Sequence, residues 1–157
     1  MKGDKKKILS IEYGSKSKMI VYIIIRALVI GVMIAQILNK NWDNVFICGL
    51  TLILLLLPSL LSYQLKIVLP NTLEIIIVCF IFAAEILGEV QEYYVIFEGW
   101  DDMLHTINGF LAAAVGFAMI DVLNEHERVS MTLSPAFVAV VVFCFSMTIG
   151  VLWEFFE

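Results

Sequence analysis

The amino-acid sequence predicts an all-α protein: a polytopic transmembrane helical bundle with about five membrane-spanning helices and a cytoplasmic N-terminus. Of its 157 residues, 61% are hydrophobic and only 16% are charged, whereas soluble domains carry roughly 25% charged residues. The apolar residues fall in runs of about 20, the length that crosses a hydrocarbon core about 30 Å thick. The composition disfavours a soluble core. It also disfavours nucleic-acid binding, because no basic face with interleaved aromatic residues follows the N-terminal tail.

The predicted organisation is a basic cytoplasmic tail, residues 1–18, followed by a single transmembrane domain, residues 19–157. The tail carries six lysines against two acids. Within the domain, the hydropathy pattern predicts helices over 19–38, 45–63, 70–90, 102–123 and from 135 to the chain end.

Two prolines shape the second and third predicted helices. Pro58 predicts a kink, because proline lacks a backbone N–H and clashes with the preceding turn. Residues 59–69, which follow, are amphipathic, and their pattern fits a segment lying in the interface as well as one that crosses. Pro70 opens the third helix, where proline is well tolerated. The aromatic stretch 91–100 after that helix is typical of a membrane–water interface.

The fourth predicted helix is rich in small residues at spacings of three and four. Such spacing lets helix backbones approach closely in lipid. We therefore expect this helix to be the central packing helix, with a small-residue face that could also serve an oligomer. The residues concerned are Gly109, Ala112, Ala113, Ala114, Gly116 and Ala118.

Basic residues predict the orientation, because they concentrate in cytoplasmic loops. With five crossings, the inner side receives the tail, Lys66 and Arg128, and the outer side receives only Lys40. Arg26 lies about two turns into the first helix. It is expected to reach the inner interface or to pair with an acid there, Asp121 or Glu74.

The same topology sends nine of the fifteen carboxylates to the outer side, where few basic residues balance them. They are Asp43, Glu85, Glu89, Glu92, Glu98, Asp101, Asp102, Glu154 and Glu157. Asp101 and Asp102 open the fourth helix, where carboxylates cap backbone N–H groups and meet the positive end of the helix dipole. The glutamates instead lie near helix C-termini, where the dipole favours cations. Intramembrane acids of this kind usually mark function.

Helical spacing predicts a shared site at the outer rim. His105 lies four residues after Asp101 and three after Asp102, and Asn108 extends the same face inward. Three outcomes stay open: the acids hold a divalent cation, they share protons with some pKa values raised by burial, or they point into water. For a cation, carboxylates with one imidazole suit Mn, Fe, Zn or Mg. The predicted ligands are Glu85, Glu89, Asp101, Asp102, His105, Glu154 and Glu157, with Asn108, Trp100 and Trp153 behind them.

Three classes of function fit such a site. A metal-dependent enzyme acting on a lipid or isoprenoid at the outer leaflet fits its shallow position and the aromatic residues around it. An ion, proton or metal transporter would need a polar path, and the fourth helix turns apolar below Asn108. A non-catalytic assembly or sensor protein is the third class. The expected partners are the lipid bilayer and a lipid-like ligand.

Three segments, FAAEILGEVQEYY, WDDMLHTINGF and IGVLWEFFE, together resemble the YjdF-like group of bacterial inner-membrane proteins, whose function is uncharacterised. The motifs W-D-x-x-L-H-x-x-x-G-F and L-W-E-x-F-E fall on 100–110 and 152–157, and the resemblance covers roughly residues 75–157. It implies a multi-pass protein of the bacterial plasma membrane. Similar proteins continue beyond W-E-x-F-E, often with another acid and a further membrane segment. This chain is thus expected to be a short variant or to have its end cut.

Overall fold

The structure is a computed structural model that describes residues 2–65, 69–125 and 133–156, apart from the side chains of 2–15, 61, 65, 122–125 and 156. Within those ranges every regular element is a helix, which confirms the predicted fold class. The elements are α1 Lys2–Leu38, α2 Trp42–Leu54, α3 Leu57–Leu65, α4 Asn71–Phe82, a π-helix Ala83–Val90, α5 Tyr93–Ile96, α6 Trp100–Glu125 and α7 Pro135–Phe156.

Across the described residues, four helical segments are long and apolar enough to cross a membrane: Lys16–Leu38, Trp42–Gln64, Trp100–Asp121 and Pro135–Phe155. They match the first, second, fourth and fifth predicted helices. The third predicted helix corresponds to α4 and the π-helix, which follow each other directly over 12 and 8 residues. Neither part alone has the length of a span, so a fifth crossing stays a prediction.

The turn between α1 and α2 is short and closed by backbone hydrogen bonds. Asn41 N–H donates to the Gln36 carbonyl and Lys40 N–H to the Ile37 carbonyl, both at 3.0 Å. This pattern ends a helix through a residue in the left-handed region, and Lys40 has a φ of 59°. The Asn41 side chain then caps α2 by accepting from Asn44 N–H at 3.3 Å. The chain thus turns between the first two predicted helices, although α2 begins at Trp42 rather than at residue 45.

The chain separates into two compact units, of which the first comprises Met1–Pro58 and Pro70–Ile96. In it α1 packs against α2 and α4, and α2 packs against the π-helix. A break was predicted at Pro58. The helix is interrupted just before this residue, between the end of α2 at Leu54 and the start of α3 at Leu57. Proline fits there because a first helical turn needs no N–H donor. The core of this unit includes the fully buried side chains Val29, Cys48, Leu55 and Val78.

The second unit comprises Ser59–Leu69 and Phe97–Glu157, and its main contact joins α6 to α7, which run antiparallel. The small residues of α6 allow this approach: a Cβ on Gly116 would lie 2.8 Å from Phe145 Cδ1. The next residue of α7 also contacts α6: Ser146 Oγ donates to the Gly109 carbonyl oxygen at 2.8 Å. These small residues thus pack against α7 of the same chain, and the central place of this helix in the bundle stays a prediction. Its use in an oligomer stays a prediction.

Helix α1 begins at Lys2, so the backbone is already helical in the region predicted as a tail. The proposed boundary at residue 18 and the single transmembrane domain stay predictions.

Candidate functional site

The N-terminal end of α6 presents the first two predicted ligands. Gly99 leads into the helix with a φ of 80°, a conformation that glycine adopts without steric cost. Asp101 and Asp102 follow in the first turn, where the helix dipole stabilises negative charge. The sequence thus folds locally so that two carboxylates stand at one end of the helix, both exposed.

His105 lies close to one carboxylate of its own helix, α6, and to one carboxylate of α7. Its Nε2 atom lies 3.3 Å from Asp101 Oδ1, one turn earlier on α6. The same nitrogen lies 3.6 Å from Oε2 of Glu154, in the last turn of α7. Both distances exceed the usual N–H···O length of about 2.9 Å. The imidazole therefore neighbours both carboxylates at distances longer than a typical hydrogen bond.

All three side chains are accessible to solvent. The exposed fractions are 32% for His105, 53% for Asp101 and 73% for Glu154. Exposed ion pairs contribute about 0–1 kcal/mol, so this cluster does little to hold α6 against α7. Glu154 also lies at a helix C-terminus, where the dipole disfavours a carboxylate and favours a cation. The arrangement concentrates negative charge where water or a cation can reach it.

One turn after His105, the side chains of α6 change from polar to apolar. Asn108 is buried there, and Leu111 and Ala112 behind it are buried and apolar. At the level of the acids, Trp100 and Trp153 are half-buried. The site is thus shallow, with an aromatic surround.

Glu85 and Glu89 lie on the π-helix of the first unit. Glu85 is 6% exposed, whereas Glu89 is exposed. The two acids lie on the same helix, but one is buried and the other is exposed. Their four-residue spacing in the sequence did not indicate this difference. Within the same element, Gly88 lies against the ring of Tyr94, which a Cβ would overlap. Because π-helices are rare and frequent at functional sites, Glu85 keeps its functional interest.

The structure brings three of the seven predicted ligands together: Asp101, His105 and Glu154. Asp102 is exposed beside them, and Glu157 lies outside the described residues. Among the residues that are described, no group of three or more His, Cys, Asp or Glu side chains is placed so that it could hold a metal ion. The seven-ligand metal site therefore stays a prediction.

Sequence reasoning missed the partner of Glu74. Lys18 Nζ lies 2.8 Å from Glu74 Oε2, and the Glu74 side chain is only 7% exposed. Arg26 was expected to reach the inner interface or to pair with Asp121 or Glu74; it lies over the ring of Tyr22, with Cζ 5.5 Å from its centroid, and its place at the interface stays a prediction. The predicted topology could have indicated the ion pair of Lys18 with Glu74, since both residues lie at the predicted inner ends of their helices.

Comparison with known proteins agrees with this picture of a membrane protein. No curated protein and no solved structure matches the chain significantly. Residues 18–157, however, match the family described as predicted membrane protein, DUF2238. The YjdF-like group is this same family, so the resemblance carried by the W-D-x-x-L-H and L-W-E-x-F-E motifs is confirmed. The chain belongs to the DUF2238 family of predicted membrane proteins.

Proposed function

We propose that this chain is an integral protein of the bacterial plasma membrane that binds a divalent cation at the end of the α6–α7 pair. Asp101, His105 and Glu154 would be its protein ligands. The supporting observation is the approach of His105 Nε2 to one oxygen from each helix, at 3.3 and 3.6 Å. Two ligand atoms bound at 2.0–2.1 Å to a tetrahedral zinc ion lie about 3.4 Å apart, which is close to both distances.

The charge balance of the two helices also favours a cation. Neither α6 nor α7 contains a lysine or an arginine. A positive charge at the trio can therefore come from these helices only through His105. A divalent ion would neutralise both carboxylates and leave the imidazole neutral, the form in which it ligates metals.

Binding requires the three side chains to direct their ligand atoms at one common centre, which they do not do as placed. Asp101 and Glu154 are exposed enough to rotate towards a common centre. Water or Asp102 would then complete the coordination shell. Mn, Fe, Zn and Mg all accept such oxygen-rich ligand sets, and the imidazole favours the first three.

The decisive experiment is titration of the purified, chelator-treated protein in detergent with Mn²⁺, followed by the EPR signal of the free ion. We expect binding at one site per chain, and a loss of affinity of at least about tenfold in His105→Ala and Glu154→Gln, because loss of a group that only orients a metal ligand already costs about 10–100-fold. Glu98→Gln is the matched control, because it removes an exposed acid of the same region outside the trio.

The proposal would be overturned if the wild-type chain bound neither Mn²⁺ nor, in a parallel titration, Zn²⁺. It would also be overturned if Glu98→Gln weakened binding as much as Glu154→Gln. Retained binding in both ligand variants would also contradict it, because the ion would then lie elsewhere.

We further propose that the cation acts on a lipid or isoprenoid phosphate at the outer leaflet rather than crossing the membrane. What supports this is the shallow site, closed below by the apolar part of α6. A bound cation there could polarise phosphate oxygens. Proteoliposomes should take up no more labelled Mn²⁺ than empty vesicles, whereas Mn²⁺ should stimulate release of phosphate from an isoprenoid phosphate. Uptake that depends on Glu154 would favour a transporter instead.

The outward orientation can be tested separately. In a variant without native cysteines, Glu98→Cys should react with an impermeant thiol reagent added to intact cells. Labelling only from the cytoplasmic side would contradict the five-crossing topology.

A further inference from the structure

The contact between His105 and Glu154 depends on the alignment of α6 and α7, because each helix supplies one side chain. A slip of one residue moves a helix by about 1.5 Å along its axis, which is a large part of the 3.6 Å between Nε2 and Oε2. The contact between Asp101 and His105 would survive such a slip, since both lie on α6. The alignment therefore decides whether the third group of the trio is present.

A hydrogen bond near the site fixes this alignment. Ser146 Oγ donates to the Gly109 carbonyl oxygen at 2.8 Å. Gly109 lies one turn beyond His105 on α6, and Ser146 lies about two turns before Glu154 on α7. The nearby packing of Gly116 on Phe145 limits how closely the helices approach. A hydrogen bond adds a preferred direction, which a sliding helix would lose.

The hydroxyl of Ser146 has a different kind of hydrogen-bond partner from three threonine hydroxyls in the helices of this chain. Thr51, Thr106 and Thr148 each donate to the carbonyl four residues earlier in their own helix, at 2.8 Å. Ser146 donates across to the neighbouring helix instead. Such a bond between helices is favoured in a membrane, where an unsatisfied hydroxyl is costly.

We propose that Ser146 is a positioning residue for the cation site: its hydroxyl holds α7 in the register that brings Glu154 to His105. This inference rests on the proposed cation-binding function. Ser146 touches neither the cation nor its ligands, and it acts through the backbone of Gly109.

The first test compares Mn²⁺ affinity in Ser146→Ala and Thr148→Val. Both changes remove one hydroxyl from α7, but only the first removes a bond to α6. We expect Ser146→Ala to weaken binding about fivefold, the factor typical of one neutral hydrogen bond. Thr148→Val should bind as the wild type does. Equal effects of the two variants would overturn the positioning role.

The second test measures the register without any cation. His105 and Glu154 are both replaced by cysteine in a chain whose native cysteines are alanine, and cross-linking by a short bifunctional methanethiosulfonate is followed with time. Ser146→Ala should slow the cross-linking, and Thr148→Val should not. An unchanged rate in Ser146→Ala would overturn the inference. Slower cross-linking in Ser146→Ala, together with a wild-type chain that binds neither Mn²⁺ nor Zn²⁺, would support the register role and sink the proposed function.

Discussion

The two compact units treat their carboxylates in opposite ways. In the first unit, Glu74 is almost fully buried and lies 2.8 Å from Lys18. In the second unit, Asp101 and Glu154 face one imidazole and remain exposed. A carboxylate that has lost its water needs a fixed basic partner, because desolvation costs several kcal/mol per ion. An exposed carboxylate keeps its water and can exchange it for a cation.

This difference separates structural charge from charge available for binding. The ion pair of the first unit joins α1 to α4 and is expected to contribute to its stability. The trio of the second unit contributes little to stability and is accessible to a ligand. Three pairs of substitutions, ordered by expected effect, test or sharpen the contrast.

The largest effect is expected for Lys18→Met, which leaves the buried Glu74 carboxylate without its base. The free energy of unfolding should fall by about 3 kcal/mol. This is the lower end of the range for breaking a buried pair, chosen because the Lys18 side chain is 31% exposed. Chemical unfolding in mixed detergent micelles measures the loss. Asp101→Asn in the second unit should change stability by less than about 0.5 kcal/mol. Similar losses in both variants would remove the contrast.

A smaller effect is expected for Gly116→Ala, which tests what holds the second unit together. The new Cβ would meet Phe145 Cδ1 at 2.8 Å, and overpacking of this kind costs about 1–3 kcal/mol. Gly109→Ala is the control, since its Cβ would lie 3.9 Å from Ser146 Oγ, an ordinary contact. Thermal unfolding should therefore shift down in Gly116→Ala only. A stable Gly116→Ala would show that packing at this position is loose.

The smallest effects concern the two turns. Gly99→Ala should lower the free energy of unfolding by about 1 kcal/mol, because alanine is strained at a φ of 80°. Lys40→Gly should raise it by about 1 kcal/mol, since Lys40 adopts a φ of 59° where glycine is unstrained. The two changes act in opposite directions on turns of different units. Unfolding curves that move the same way would contradict this account of the left-handed positions.

Much of the fold could be predicted from the sequence. Hydropathy located the four apolar helices, and Pro58 and Pro70 located a break and a helix start. The π-helix was not predicted, because its hydrogen-bonding pattern leaves no mark in apolar spacing. It mattered for the site: Glu85 and Glu89 were both predicted as metal ligands, yet one is buried and the other exposed.

The candidate site was predictable only in part. Asp101 and His105 could be paired from their spacing, since residues four apart on a helix are neighbours. Glu154 could be assigned to the same end only through the topology, and its contact with His105 needed the register of α6 against α7. The role of Ser146 had no signal in the sequence, because a serine in an apolar helix can equally well bond to its own backbone.

By itself, the sequence determined the class of this protein, its membrane-directed helices, its family and the neighbours along each helix, because hydropathy and the helical repeat are local properties. The tertiary structure decided which partners meet between helices: Lys18 with Glu74, Ser146 with Gly109, and Glu154 with His105. Those contacts depend on how closely two helices approach and how far one slides along the other. Small residues and single hydrogen bonds set both, and no periodicity in the chain records them.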